Sequence, residues 1–123
     1  ATPQEWLSVL FALLRACSVV LDVEEQEING VVRPVKVDER LTHELILYDD
    51  VPGGAGFVEN LCEHRTMVDV LQEALRITKD CNCAEDAACY RCLLSDRNLI
   101  FHPILSRSIP LRFFTTLMGQ NPS

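Results

Sequence analysis

Four cysteines within twelve residues, Cys81, Cys83, Cys89 and Cys92, constrain this chain more than any other feature. Their spacing is C-x-C-x5-C-x2-C. Thiolates this dense can close around one cation. An all-cysteine shell makes a tetrahedral zinc site with no position left for water, which is a structural rather than a catalytic site. The polar loop 82–88 cannot fold by apolar burial alone, so metal binding would become folding free energy for the C-terminal third. Two other readings use the same four residues. Two disulfides are opposed by a reducing cytosol, and close neighbours such as Cys81 and Cys83 bridge poorly. An iron–sulfur cluster is also held by four cysteines. The spacing favours one structural Zn2+. The remaining cysteines, Cys17 and Cys62, fall on apolar helix faces, where a free thiol behaves as a small buried hydrophobe.

A chain of 123 residues is one domain. It buries only about two-thirds of its unfolded surface, so a metal staple would add to its stability. Apolar residues make up 48 % of the chain, enough to exclude disorder. Net charge is −7, which argues against a nucleic-acid binder that uses its whole surface. The charge is uneven. Residues 1–88 carry 7 basic and 17 acidic groups, whereas residues 89–123 carry Arg91, Arg97, Arg107 and Arg112 against Asp96 alone. These four arginines are the candidate nucleic-acid or partner contacts; the plainer reading is arginines scattered on a solvated face.

The chain opens at Ala1 with no basic leader and no small-residue cleavage site. Its longest apolar stretch, residues 6–21, is interrupted by Ser8, Arg15 and Ser18 and falls short of the ~20 residues a membrane span needs. The expectation is a cytoplasmic protein without membrane partners, here a single accessory domain spanning 1–123 and cut from the C-terminal part of a longer chain.

Residues 3–21 read as a buried helix, apolar except for a stripe through Gln4, Ser8, Arg15, Ser18 and Asp22. Residues 20–28 read as a strand. Asn29-Gly30 is the strongest short hairpin signal, with 31–37 as the returning strand. Residues 45–48 are a short buried strand and 57–79 a long helix. After the cysteines, a final helix over about 98–117 should kink or divide at Pro103 and Pro110.

Asp49-Asp50-Val51-Pro52-Gly53-Gly54-Ala55-Gly56 joins a strand to a helix. No Lys-Ser/Thr follows Gly56, so this is not a phosphate-binding P-loop. Gly53, Gly54 and Gly56 are structural glycines of a tight turn. Asp49, Asp50, Glu59, Glu63 and His64 would form a hydrolytic metal site only if they converged in space. His102 is a fallback metal ligand, superfluous if four cysteines fill the shell.

Taken together, Leu47-Tyr48-Asp49-Asp50-Val51-Pro52-Gly53-Gly54-Ala55-Gly56, the long helix, Cys81-x-Cys83, Cys89-Tyr90-x-Cys92-Leu93, Arg97-Asn98 and His102 resemble the MrfA-type zinc-binding (MZB) domain found at the end of many bacterial DNA helicases and helicase-associated proteins. The pattern covers roughly residues 44–107 and is most similar to the version in DrmB, the helicase partner of the DISARM anti-phage system. Leu99, Pro103, Pro110 and Ser106 depart from the family pattern. The resemblance implies a zinc-carrying, non-catalytic accessory domain with Cys81, Cys83, Cys89 and Cys92 as ligands. It implies a helicase core or helicase subunit as partner, DNA as a candidate partner, and no small-molecule substrate.

The expected fold is α+β: a small antiparallel or mixed sheet packed with a buried N-terminal helix and a long central helix, plus a four-cysteine zinc knuckle leading to a C-terminal helical segment. Two rival functions use the same residues. A pure protein–protein interaction module would dock through the apolar helix 6–21. A metal-dependent nuclease or hydrolase would use the carboxylates around Asp49 and Glu63.

Overall fold

The computed structural model describes residues 3–51, 56–84 and 87–119. In chain order these form helix α1 (Pro3–Leu21), a 3-10 turn (Glu25–Glu27), strands β1 (Ile28–Val37) and β2 (Arg40–Asp49), the short helix α2 (Phe57–Asn60), helix α3 (His64–Asp80), a 3-10 segment (Asp96–Ile104) and helix α4 (Ser108–Leu117). This is the α+β arrangement the sequence implies, with the cysteines between α3 and the C-terminal segments.

Helix α1 is the axis of the fold. It packs on α3, on β1 and on α4, and α3 packs on α4. Val9, Ala12, Ala16 and Cys17 of α1 meet Val70, Ala74 and Ile77 of α3 and Phe114 of α4 in one core. Trp6 stacks edge-on against Phe113 at 5.3 Å between ring centres, fixing the start of α1 to α4. Gln4–Leu21 is long and apolar enough, by length and composition, to cross a membrane, although the sequence had suggested too short a stretch. Here that surface covers the core. Part of the polar stripe of α1 also turns inward, although Gln4 and Asp22 stay exposed. Ser8 is fully buried and its Oγ accepts the Ser106 N–H at 2.9 Å, and Arg15 reaches the segment after the cysteines.

The hairpin differs from the sequence expectation. Residues 20–21 belong to α1, and Asn29-Gly30 lies inside β1 rather than at a turn. The turn is Asp38-Glu39, between paired Val37 and Arg40. Both turn residues have positive φ (50° and 65°), as a two-residue turn of type I′ requires. Packing accounts for the change. Gly30 pairs with Leu47 and Val32 with Leu45, so this face of the sheet lies against α1. A Cβ on residue 30 would sit 2.8 Å from Leu10 Cδ1 and 2.9 Å from Leu47 Cδ2. Gly30 is therefore the place where a helix crosses close to a strand.

The central helix is also divided. Leu61, Cys62 and Glu63 separate α2 from α3, and Glu63 takes an extended conformation before α3 begins. Cys62 is exposed in this break, not buried as expected; Cys17 is fully buried, as expected. The C-terminal segment divides as its prolines require. Pro103 lies in the 3-10 segment and Pro110 in the first turn of α4, where a missing N–H costs nothing.

Candidate metal centre

Cys81 is the residue that ends α3, in extended conformation, so the helix delivers the first ligand directly. Cys83 follows two residues later. Cys89 and Cys92 lie on a tight turn in which the Cys89 carbonyl accepts the N–H groups of Cys92, Leu93 and Leu94 at 3.1, 3.1 and 3.0 Å. The Cys89 N–H points at Cys92 Sγ, 3.3 Å away. These local bonds need only the backbone, which is why the C-x2-C spacing suffices to bring two sulfurs to one point.

All four sulfurs lie within 4.8 Å of one another. Neighbouring pairs are 3.4 Å (Cys81–Cys89), 3.5 Å (Cys81–Cys83), 3.7 Å (Cys83–Cys92) and 3.9 Å (Cys89–Cys92). Four sulfurs at ~2.3 Å from one zinc ion in a tetrahedron would be about 3.8 Å apart. The observed spacings bracket that value. They are far longer than a disulfide bond of ~2.05 Å, and all four thiols are free. A multi-iron cluster would hold its cysteines apart on separate irons; these converge on a single centre. The donor set and its spacing fit one structural Zn2+.

Electrostatics separate the thiols of Cys81, Cys83 and Cys92. Burial opposes the Cys81 thiolate, but hydrogen bonds from the Cys83 backbone and from the thiols of Cys89, Cys83 and Cys92 outweigh it, and its pKa falls to about 7. Burial pushes Cys92 up to about 12. Burial also raises Cys83, together with its bond to Cys81, while a hydrogen bond from Arg107 pulls the other way. Without a cation the cluster cannot hold four thiolates together. A divalent ion supplies the missing positive charge, and its binding releases the thiol protons.

Two arginines tie this knuckle to the fold. Arg107 is 5 % exposed. Its Nη1 donates to the Thr78 carbonyl at 2.7 Å, its Nη2 to the Cys83 carbonyl at 2.6 Å and its Nε to Cys83 Sγ at 3.3 Å. The charge pattern of the sequence groups it with Arg91, Arg97 and Arg112 as a surface contact; the structure places it inside, against the ligands. Arg91 and Arg112 are exposed, and Arg112 borders a groove beside Trp6 and Phe113. The side chain of Arg97 lies outside the described residues, as do Gly53 and Gly54. The second tether, Arg15, donates to the Tyr90 and Leu94 carbonyls, the latter at 2.8 Å, and pairs with Glu25 at 3.2 Å. Sequence reasoning missed it. An arginine in a helix otherwise apolar from residue 6 to 21 was the available signal, since a buried helix keeps a charge only where it has partners.

Asn98 and His102 close the turn rather than ligate. Asn98 is 1 % exposed. Its side-chain nitrogen donates to the Leu93 carbonyl at 2.8 Å and its oxygen accepts the Ser95 N–H at 2.9 Å. His102 Nε2 lies 2.8 Å from that oxygen and 2.9 Å from the Ser95 carbonyl. Two oxygen acceptors require the proton on Nε2.

The glycine loop has a structural partner as well. Asp49 accepts the N–H groups of Gly56 at 2.8 Å and Val58 at 2.9 Å, capping α2 from the end of β2. Gly56 takes positive φ, 77°, to start that helix. Asp49 is thus turned to the backbone. Among the described residues, the one group of metal-ligating side chains that converges is the four cysteines; Asp49, Asp50, Glu59, Glu63 and His64 do not form a second.

A family model described as the MrfA Zn-binding domain (MZB) matches residues 9–93, more than half of the chain. The match runs from within α1 to the residue after Cys92 and so includes all four cysteines. No curated protein and no solved structure matches the chain.

Proposed function

The chain belongs to the MrfA Zn-binding domain family, and from that premise we propose that it acts as a non-catalytic, structural-zinc accessory module of a larger cytoplasmic DNA helicase or helicase-associated protein, with a DrmB-like subunit of an anti-phage system as the particular parent. The carrying observation is the donor set: four sulfurs within 4.8 Å of one another, the full complement of a closed tetrahedral zinc site. Such a site fixes structure. Here it fixes the passage from α3 to the C-terminal segments, and Arg15 and Arg107 extend that fixation to α1 and the start of α4.

The C-terminal third is the surface we assign to DNA or to the helicase core. Arg107 is removed from that surface by its burial, leaving Arg91 and Arg112, among the described side chains, as the exposed cations to test. Labelled single-stranded and duplex DNA titrated with the chain, and with an Arg91→Ala/Arg112→Ala variant, decides the matter. Weaker binding with a shallower salt dependence supports DNA contact. Equal binding assigns the surface to protein. The interaction-module reading expects docking through helix 6–21, which instead packs on the core; a protein-facing surface has support elsewhere, in Tyr90, Leu99 and Ile100, three large apolar or aromatic side chains exposed by 57, 56 and 83 % on and just after the knuckle. Co-purification of the chain with a separately expressed helicase core, lost on Ile100→Asp, is the result that reading requires.

A further inference from the structure

We propose that Arg107 is the counter-cation of the zinc centre: a positioning residue that fixes Cys83 and the end of α3 around the bound ion and offsets the negative charge of the loaded site. The inference rests on the zinc reading of the cysteine cluster and concerns a residue outside the ligand set.

Four thiolates and one Zn2+ leave a net charge of −2 in a partly buried site. Such an anion is stable only where charge or N–H donors face it. The backbone contributes through the Cys89 N–H aimed at Cys92 Sγ. The full positive charge comes from Arg107, whose Nε is 3.3 Å from Cys83 Sγ. The need runs in both directions. A guanidinium carries its charge permanently, and this one is 5 % exposed. Among the described residues it pairs with no carboxylate. Its two other bonds go to neutral carbonyls, of Thr78 and Cys83. Carbonyls satisfy its N–H groups without balancing its charge; the thiolate centre supplies the anion.

The geometry also selects arginine. One planar fork spans the last turn of α3, through Thr78, and both the carbonyl and the sulfur of Cys83. Lysine would keep the charge but has no fork to bridge three acceptors at once. Thr78 is itself held, its Oγ1 bonded to the Ala74 and Leu75 carbonyls at 2.9 and 3.1 Å. The Arg107 backbone N–H is anchored to the Ala87 carbonyl at 2.8 Å. The cation is therefore preset at both ends.

The test compares the wild-type chain with Arg107→Met and Arg107→Lys. Zinc affinity is measured by chelator competition, the thiolate-to-metal charge-transfer band after Co2+ loading, and the alkylation rate of each cysteine in the zinc-loaded chain by peptide mapping. Outer partners of metal ligands are worth about 10–100-fold in affinity. Arg107→Met should lose affinity within that range, move the cobalt band to lower energy and accelerate alkylation of Cys83 over Cys81. Arg107→Lys should recover most of the affinity. A methionine variant that keeps wild-type affinity, band and Cys83 reactivity overturns the proposal, as does a lysine variant as weak as the methionine one, because charge would then be irrelevant. If the methionine variant does not fold, the lysine variant decides: affinity within ~10-fold of wild type supports the proposal and a larger loss overturns it. A wild-type chain that takes up no zinc is a different failure. It overturns the zinc reading itself and removes the anion that Arg107 is assigned to balance.

Discussion

Truncating Arg15 to alanine separates what the metal does from what the helices do. Arg15 is 75 residues from Tyr90 and 79 from Leu94, yet its guanidinium donates to both carbonyls. Hydrogen bonds from a charged group contribute about 1.5–3 kcal/mol when shielded and less when exposed. The bond to Leu94 is half-buried and the one to Tyr90 is open to solvent, so the pair should be worth roughly 3 kcal/mol. The Glu25 partner adds little, because that carboxylate is 45 % exposed and such pairs contribute under about 1 kcal/mol. For a domain of this size, about 3 kcal/mol corresponds to a melting shift on the order of 10 °C. The two carbonyls belong to the knuckle, which the metal organises. Arg15→Ala should therefore cost this amount in the zinc-loaded chain and far less once a chelator has released the knuckle. The assay is a four-way cycle, wild type and Arg15→Ala with and without zinc, followed by thermal melting with circular dichroism. Equal losses with and without zinc would refute the reasoning, since Arg15 would then act within the helical core and not on the knuckle. Glu25→Gln, which leaves both carbonyl bonds in place, should shift the melt by no more than a few degrees.

Elemental analysis should find one zinc per chain, and Cys81→Ser and Cys92→Ser should each lose it together with cooperative melting of the C-terminal third. Gly30→Ala forces a methyl to within 2.8 Å of Leu10 Cδ1; the overpacking should cost about 1–3 kcal/mol by denaturant titration, with zinc content unchanged. An alkylating reagent should label Cys62 in the native chain and spare Cys17 until unfolding, because Cys62 is exposed while Cys17 is buried. Burial pushes the Cys17 thiol up to about 12 from an ordinary 9.0. Its neutral form thus stabilises the fold fully below pH 9 and loses that contribution as pH climbs towards 12, so Cys17→Ala should melt with a flatter alkaline limb over that window.

Local features were legible and long-range ones were not. The ligand set could be read because all four cysteines fall within one short segment, where backbone turns alone can gather the sulfurs. Helix α1 could be read from Pro3 and a run of apolar residues ending at Leu21. Asn29-Gly30 misled because glycine serves two purposes. It relaxes a turn, and it lets another backbone or side chain come close; the approach of Leu10 decides between them, and Leu10 is twenty residues away in the sequence. Cys62 misled because its place on a helix face presumed that the helix was continuous, and α2 and α3 break there.

The arginines mark the boundary most clearly. The sequence by itself determined that this chain carries a four-thiolate metal site, an α+β fold around an apolar first helix, and a C-terminal third with excess positive charge. It could not determine where each charge is aimed. Arg91, Arg107 and Arg112 are chemically identical and close in the chain. Yet Arg107 is turned inward onto Thr78 and Cys83, 29 and 24 residues away, while Arg91 and Arg112 face solvent. A guanidinium on a long flexible stem satisfies its donors wherever acceptors converge, and that convergence is set by how α1, α3 and α4 pack around the cysteines. Composition fixes how much charge a chain holds; only the tertiary structure decides which of it is turned inward against the cysteines and which is left in solvent.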